Sequence, residues 1–314
     1  MELKSYQKGD EIQILELFEK SFGKKMSLAY WKWRFLENPF TEDIFIDLMW
    51  SNGILVGHYA VSPVEMIIER SLRKTALSMT TMTHPEYGGK GIFSRLAASI
   101  YKKLKDNKYE MVWGFPNNNS HYGFKKNLDW KDIGIHPMQS LPFELVLNKE
   151  FPSPKYKLVN DFSDTLVDLL NISHSKVHIN KTREFLKWRY IHNPAIDYKI
   201  IILEDEKAIV VYKIISSFSV SEKFEVDIME INFDTDINKL KQLLLAIIEN
   251  EANHSITKFN LWNNLFSDHQ ILLEKVGFRF TTPLTYLSYR SFTGNDTPGY
   301  LSNWELSFGY SDVF

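Results

Sequence analysis

The spacing of apolar residues along the chain predicts an alternation of helices and strands. Residues 10–22 and 28–36 carry apolar side chains at helical spacing, and a third such run covers residues 92–104. Residues 54–69 and 75–85 are rich in β-branched and other apolar residues, which predicts two strands within 54–69 and one over 75–85. This order predicts a domain built from both helices and strands.

One ten-residue pattern occurs twice. Tyr30–Pro39 reads YWKWRFLENP and Phe185–Pro194 reads FLKWRYIHNP, so that five of the ten positions are identical. The second copy begins 155 residues after the first, and this offset is about half the length of the 314-residue chain. Residues 111–130 and 258–278 also run in parallel, each with an apolar strand, an Asn-rich turn, a helix and a closing aromatic residue. The repeats predict two copies of one domain.

The boundary between the copies is expected near residues 148–157, where two prolines and several charges interrupt the periodicity. We therefore predict an N-terminal domain over residues 1–150 and a C-terminal domain over residues 151–314.

Three of the fourteen glycines fall in the turn before the third predicted helix. Gly88, Gly89 and Gly91 lie within the segment 84–97, HPEYGGKGIFSRLA. Glycine adopts positive φ without strain and lets a ligand approach the backbone closely. The free N–H groups at the start of a helix can bind an anion. The turn is consistent with an anion site, and equally with a tight strand-to-helix connection that binds nothing.

Composition excludes several classes of function. The net charge is −2 and no block of Lys and Arg stands out, which disfavours nucleic-acid binding. The absence of cysteine excludes disulfides, thiolate nucleophiles and cysteine-ligated zinc. The nine histidines show no metal-binding spacing, so we expect no metal site. A polar N-terminus and the lack of an apolar run of about 18 residues predict a cytoplasmic protein without membrane insertion.

The order strand, PEYGGKGIF, long helix, strand, PNNNS, short helix and LDW resembles the GNAT acyltransferase fold. The family signature Q/R-x-x-G-x-G/A falls on Gly88–Phe93. The resemblance covers residues 1–145 and returns more weakly over residues 155–290. It implies two tandem GNAT-like domains of the α/β (α+β) class, each with a mixed, mostly antiparallel sheet flanked by helices.

The resemblance also implies acyl-CoA as co-substrate, either acetyl-CoA or a longer acyl-CoA. The glycine turn would hold its pyrophosphate, and two splayed strands would hydrogen-bond its pantetheine arm. The implied cofactor-binding residues are Met82, Thr83, Gly88, Gly89, Lys90, Gly91, Ile92, Phe93, Gly114 and Asn118.

Two positions of the signature depart from the family pattern. Gly88 stands where the family has Arg or Gln, and Phe93 stands where a small residue is usual. Phe93 would either narrow the phosphate site or pack backwards onto the strand; burial of an aromatic ring favours packing.

The second copy lacks a phosphate-binding turn. No glycine occurs between Gly134 and Gly277, and the equivalent turn, residues 233–242, reads FDTDINKLKQ. Its two aspartates would repel a phosphate. We expect one cofactor site, in the first copy, with the second copy either lining the acceptor pocket or serving as a structural duplicate.

The resemblance implies direct attack of an amine on the thioester. The family often uses a tyrosine acid five residues before its closing aromatic, but counting back from Trp130 gives Lys125. Tyr122, one turn earlier, is the candidate acid, and the alternative is that it packs in the core. His84 could relay a proton from the amine or could be structural. His121 and Ser120 are weaker catalytic candidates.

The layout of two copies, with one active and one degenerate, is similar to that of bacterial enzymes that N-acylate nucleotide-linked amino sugars. This similarity implies a dTDP- or UDP-linked amino-sugar acceptor in surface polysaccharide synthesis, such as that of O-antigen. The alternatives are an aminoacyl-tRNA-dependent peptidoglycan-precursor transferase, a thiol-forming acyltransferase acting on a glycoside, and a non-catalytic CoA-binding or regulatory module. The intact glycine turn and the near-neutral charge count against the tRNA-dependent enzyme.

Overall fold

Two compact units make up the chain. The computed structural model describes residues 1–147, 153–217 and 222–311. The first unit contains Met1–Gly134 and Tyr286–Gly299, and the second contains the described residues of Ile135–Thr285 and Tyr300–Phe314.

Strands and helices alternate as the apolar pattern predicts, except that residues 54–69, predicted as two strands, form one continuous strand, Ile54–Ile68, which pairs along most of its length with the strand that follows it. The strands are β1 (Glu2–Ser5), β2 (Phe45–Ser51), β3 (Ile54–Ile68), β4 (Ser71–Thr83), β5 (Met111–Gly114), β6 (Lys131–Pro142), β7 (Tyr156–Val159), β8 (Val177–Ile179), β9 (Lys199–Leu203), β10 (Ile209–Ser216), β11 (Phe224–Asn232), β12 (Ile256–Leu261) and β13 (Arg279–Ser291). The helices are α1 (Glu11–Phe22), α2 (Leu28–Phe35), α3 (Ile92–Asp106), α4 (His121–Leu128), α5 (Phe143–Leu147), α6 (Asp164–Asn171), α7 (Arg183–Tyr190), α8 (Ile237–Asn250) and α9 (Asp268–Val276).

The sheet of the first unit has the strand order β1-β2-β3-β4-β5-β13. Its pairs are antiparallel except for β4 and β5, which are parallel. In the second unit the order is β12-β11-β10-β9-β7, with β6 beside β12. There β11 and β12 form the parallel pair and the other pairs are antiparallel. The two units therefore repeat one mixed, mostly antiparallel arrangement, as the tandem interpretation predicts.

The two halves of the sequence exchange the strand that completes each sheet. The end of β13 pairs with β5, where Ser288 lies opposite Gly114, and so it belongs to the first unit. The end of β6 pairs with β12, where Ser140 lies opposite Asn260, and so it belongs to the second unit. The compact units thus differ from the predicted halves, residues 1–150 and 151–314, because strand pairing rather than chain order decides where these segments pack. The predicted boundary segment, 148–157, lies partly outside the described residues.

The core of the first unit lies between its sheet and α3. The apolar stripe of α3 is Ile92, Leu96, Ile100 and Leu104, and none of these side chains is more than 2% exposed. They pack against Met49, Val56 and Val61 of β2 and β3. Burying each aliphatic side chain stabilises the fold by roughly 1.5–3 kcal/mol, so this stripe fixes α3 firmly on the sheet.

Candidate active site at a split between two parallel strands

Strands β4 and β5 are paired along only part of their length. The parallel pairing joins Thr75–Leu77 to Met111–Trp113, but β4 continues to Thr83. Since β5 ends at Gly114, the stretch Ser78–Thr83 of β4 runs past it. A gap therefore opens at the carboxyl ends of two parallel strands, where open α/β sheets commonly bind ligands.

A bulge in β4 lies within this stretch. The register between β3 and β4 shifts between the pairs His58–Met82 and Ala60–Met79, and Thr80 has φ +50°. His58 Nδ1 donates to Thr80 O at 2.8 Å, which holds the bulge against β3. The His58 ring is buried, and desolvation lowers its pKa to about 4. The imidazole is therefore neutral at physiological pH and serves as a fixed donor.

Gly114 marks the point where the strands separate. A Cβ at this position would lie 3.1 Å from Ser78 O and 3.6 Å from the Trp130 ring. Glycine thus lets the β4 backbone approach β5 closely at the apex of the gap.

The glycine turn leads directly into α3. Gly89 has φ +73° and Gly91, the N-cap of α3, has φ +70°. A Cβ at either position would meet no atom within 4 Å, so the backbone conformation rather than crowding favours glycine. Arg95 N–H donates to Gly91 O at 3.1 Å. The helical N–H groups that precede it have no intrahelical acceptor, and the helix dipole makes this end attractive to an anion.

The residues after the turn are held by packing. Ile92 is 2% exposed and occupies the space that a Cβ of Gly57 on β3 would need. The Phe93 ring lies 5.0 Å from that of Phe124 and 6.1 Å from that of Tyr59, both in edge-to-face geometry. The packing interpretation of Phe93 is therefore confirmed. Lys90 lies on the exposed turn, with its Nζ 4.4 Å from the centre of the Tyr87 ring.

The remaining residues implied for the cofactor lie along the gap and in the turn after β5. Met82 and Thr83 are the last residues of β4; the Met82 side chain is buried and Thr83 is half-buried. Asn118 is exposed in the turn. The side chain that organises this turn is Asn117, whose Oδ1 accepts from the N–H groups of Asn119 and Ser120, each at 3.0 Å. Sequence reasoning had no means of choosing among three consecutive asparagines.

Two catalytic candidates have structural hydrogen bonds. His84 Nδ1 accepts from Glu86 N–H at 3.3 Å, and its backbone N–H donates to Val56 O at 2.9 Å. Ser120 Oγ accepts from Asn117 N–H at 3.1 Å. These contacts support a role for both residues in shaping the ends of the gap, and their catalytic roles stay predictions.

Tyr122 lies on the outer side of α4. Its side chain is 65% exposed, so the alternative that it packs in the core is wrong. Lys126 Nζ donates to the Tyr122 hydroxyl at 2.6 Å. The hydroxyl is thus accessible and bonded to a cation.

A polar cluster joins α4 to the strands beside it. His121 Nε2 lies 2.8 Å from Asp132 Oδ1, and Lys125 Nζ donates to Asp132 Oδ2 at 2.5 Å. Ser288 Oγ donates to Asp132 Oδ1 at 2.9 Å, and the His121 ring stacks on Tyr286 with a centroid distance of 3.9 Å. Burial raises the pKa of Asp132, but its hydrogen bonds to these side chains outweigh burial and hold the pKa below its usual value. Sequence reasoning missed Asp132, Tyr286 and Ser288. The last two lie more than 150 residues from α4 in the sequence, so no local pattern connects them with this helix.

In the second unit a carboxylate occupies the equivalent helix start. Asp236, the N-cap of α8, accepts from Asn238 N–H at 2.8 Å, and Asp234 and Thr235 before it have φ near +50°. The N-cap of α3, Gly91, makes no side-chain cap hydrogen bond, whereas α8 satisfies one of its first N–H groups with its own Asp236 carboxylate. The Trp262 side chain, at the end of β12, is 2% exposed and lies 5.4 Å from the rings of both His136 and Phe308.

Two features are absent from the described residues. None of their helices is long and apolar enough to cross a membrane. Within the same ranges, no group of three or more His, Cys, Asp or Glu side chains is arranged to hold a metal ion.

Comparison with known families gives a match for the first unit. Residues 2–132 match the model of the acetyltransferase (GNAT) domain. Over these residues the chain is thus similar to GNAT acetyltransferase domains. The match ends at Asp132 and so includes the split strands, the glycine turn and α4. None of the curated proteins matches the chain.

Solved structures resemble nearly the whole chain. A probable N-acyltransferase from Enterococcus faecalis V583, a conserved protein of unknown function, is 14% identical with a TM-score of 0.72, over 93% of this chain and 72% of that one. A GCN5-related N-acetyltransferase from Anabaena variabilis is 11% identical with a TM-score of 0.70, over 93% and 73% of the two chains. Another from Kribbella flavida is 13% identical with a TM-score of 0.68, over 92% and 70%. The family match and these neighbours agree on a GNAT-like fold.

Proposed function

We propose that the chain transfers an acyl group from acyl-CoA to the amine of a small molecule, at the GNAT domain. The observation that carries this proposal is the gap between β4 and β5, which opens beside the glycine turn at the start of α3. A pantetheine arm would add to the free edge of β4 as an extra strand, while the pyrophosphate would accept hydrogen bonds from the N–H groups of the turn.

We propose Met82 and Thr83 as the residues that flank the thioester end of the pantetheine arm. The pyrophosphate would be held by the backbone of Gly88–Phe93, with Lys90 adding a mobile positive charge at the exposed edge. Gly114 and Asn118 would line the opposite side of the gap. The side chain of Phe93 would take no part, since it packs on Tyr59 and Phe124.

The proposed acceptor is an amino sugar linked to dTDP or UDP. The support is the layout of two GNAT-like copies, of which one has a glycine turn and the other has Asp236 at the equivalent helix start. The net charge of −2 gives little electrostatic attraction for tRNA, which disfavours the aminoacyl-tRNA-dependent alternative.

The direct test is acyl transfer to a panel of amines. The protein is incubated with acetyl-CoA or hexanoyl-CoA and with dTDP- and UDP-linked amino sugars, free amino sugars, polyamines and amino acids, and products are read by mass spectrometry. We expect an acylated nucleotide amino sugar as the main product, absent when the amine is replaced by a hydroxyl. Acylation of another amine would overturn the acceptor assignment, and no acylation of any amine would overturn the N-acyltransferase proposal.

Tyr122 is proposed as the acid that protonates the leaving thiolate. Tyr122→Phe removes one hydroxyl from a side chain that is 65% exposed, so the stability should change by less than about 0.5 kcal/mol. If the hydroxyl donates the proton, kcat should fall while the affinity for CoA stays the same. Lys126→Met is the companion variant, because it removes the donor to the same hydroxyl. An unchanged kcat for Tyr122→Phe under chemistry-limited conditions would exclude the acid role.

A further inference from the structure

We infer that His121 and Asp132 form a catalytic pair in which His121 takes the proton from the acceptor amine and Asp132 positions its ring. This inference rests on the proposed N-acyltransferase function. The carboxylate of Asp132 accepts from three side chains of two other elements: His121 and Lys125 of α4 and Ser288 of β13.

The pair lies at the end of the gap. Ser288, which donates to Asp132, is directly opposite Gly114 in the pairing of β13 with β5. Gly114 lies close to Ser78 O, at the point where β4 separates from β5, and a side chain at this position would crowd that oxygen. Asp132 is therefore tied to the apex of the gap by one hydrogen bond and one strand pair, and His121 begins α4 only seven residues after Gly114.

The hydrogen bonds determine which nitrogen of His121 can act as a base. The lowered pKa of Asp132 keeps its carboxyl ionised, so it accepts hydrogen bonds and the proton between it and His121 resides on Nε2. The lone pair of the neutral ring is then on Nδ1. The parallel stack on Tyr286, at 7° between the planes, fixes the ring orientation from the other side.

Lys125 contributes a second side chain of α4 to the cluster around Asp132. Lys125 stands where the GNAT resemblance places a tyrosine acid, and it lies one helical turn after His121, on the same face of α4. Both side chains converge on Asp132, whereas Tyr122 points outward to Lys126. The face of α4 that corresponds to the family's acid thus carries an imidazole and an ammonium that share one carboxylate.

The reaction step is balanced without a further reagent. The amine nitrogen forms a bond to the thioester carbonyl carbon, the C–S bond breaks, and coenzyme A leaves as a thiolate. The proton lost by the amine goes to His121 Nδ1, and the resulting imidazolium is stabilised by the Asp132 carboxylate through Nε2–H. The thiolate is protonated by the proposed acid, Tyr122, or by water. His121 then returns its proton to solvent, and a Tyr122 that has donated its proton regains one from solvent.

The charged groups that face the pair act on it in opposite directions. Lys125 on α4 disfavours a positive charge on the His121 ring, and the ionised Asp132 on β6 favours it. If Asp132 acts only through His121, its effect on kcat should disappear once His121 is replaced, which a merely structural role would not produce.

The test compares Asp132→Asn, His121→Ala and the double variant with the wild type, with Asp296→Asn as matched control. Asp296 is an exposed aspartate of the same unit, whose carboxylate lies 3.8 Å from the ammonium of Lys131. We expect His121→Ala to lower kcat about 100-fold and Asp132→Asn at least about tenfold, with CoA affinity retained. The double variant should be no slower than His121→Ala, and added imidazole should partly restore the activity of His121→Ala. Asp296→Asn should match the wild type.

The outcomes separate this inference from the proposed function. A wild-type rate in Asp132→Asn, with active wild-type protein in the same assay, would overturn the pair and leave the N-acyltransferase proposal intact. Additive losses in the double variant would also overturn it, because they would show that Asp132 does not act through His121. If the wild type acylates no amine, the proposed function itself fails.

Discussion

At the scale of single residues, the glycine turn is predictable and the α4 cluster is not. Gly89 and Gly91 have positive φ, which glycine adopts without strain. The glycines in the sequence therefore indicate this backbone conformation. Tyr122 and Lys125 are three residues apart, so the local sequence places them on nearly the same face of one helix. In the fold Lys125 contacts Asp132 while Tyr122 is 65% exposed, and helical spacing alone does not distinguish the two positions. The contact of Asp132 with Ser288 comes from a strand more than 150 residues away.

The buried His58 predicts a loss of stability in acid. Its pKa is about 4 in the folded protein and 6.5 in the unfolded chain, so the unfolded state binds more protons between these values. Stability is fully present above pH 6.5 and falls as the pH drops toward 4, by up to about 3 kcal/mol for this group.

The variant His58→Asn isolates this effect. An asparagine amide can still donate to Thr80 O but does not titrate, so the fall in melting temperature between pH 7 and pH 5 should be smaller than in the wild type. His136 in the second unit also has a pKa of about 4 and should retain its share of the acid sensitivity. An unaltered pH dependence in His58→Asn would contradict the assignment.

At the scale of elements, the start of α3 is placed by a contact with β3. The helix itself is evident from the sequence, since its apolar residues recur at helical spacing. The position of α3 on the sheet depends on Gly57, because the lack of a side chain at Gly57 leaves space for Ile92. The sequence contains both residues but not their contact, because they come from elements separated by a whole strand.

This contact predicts strong coupling between two substitutions. Gly57→Ala should displace the first turn of α3 and lower the stability by about 1–3 kcal/mol through overpacking. Ile92→Ala should cost about 2–5 kcal/mol by leaving a cavity. In the double variant the Ile92 atom that the new methyl group would strike is gone, and its next contacts are Leu96 Cδ1 at 3.1 Å and Met49 Cβ at 3.2 Å. The loss should therefore be smaller than the sum of the single losses. Denaturant unfolding of the three variants measures the difference, and strict additivity would show that Ile92 does not fill the space above Gly57.

At the scale of the whole molecule, duplication is visible in the sequence and strand exchange is not. The repeated KWR and NP residues identify two copies because each copy keeps its own local structure. Apolar periodicity predicts that β6 and β13 are strands, but it carries no information about which sheet each strand completes. The pairing of β13 with β5 therefore emerges only from the fold.

Strand exchange predicts that the first sequence half is not self-sufficient. A fragment of residues 1–150 lacks Tyr286–Gly299, so β5 loses one of its two neighbouring strands and the Arg290 guanidinium no longer donates to Leu128 O. The edge of β5, whose residues are all buried in the intact chain, would become exposed and prone to aggregation. We expect the fragment to show no cooperative thermal transition in circular dichroism. A cooperative melt and CoA binding by this fragment would contradict the importance of the exchanged strand.

The central claim, that the turn before α3 binds the pyrophosphate of coenzyme A, is tested most directly by calorimetric titration of CoA into Gly91→Asp. The carboxylate would repel the phosphates, and the affinity should fall at least about tenfold, or about 1.4 kcal/mol. Gly23→Asp is the matched control: Gly23 has φ +68°, against +70° for Gly91, has equally open surroundings, and lies at the end of α1 rather than in the turn. We predict wild-type affinity for Gly23→Asp and the tenfold loss for Gly91→Asp. Unchanged CoA affinity in a folded Gly91→Asp protein would contradict the account.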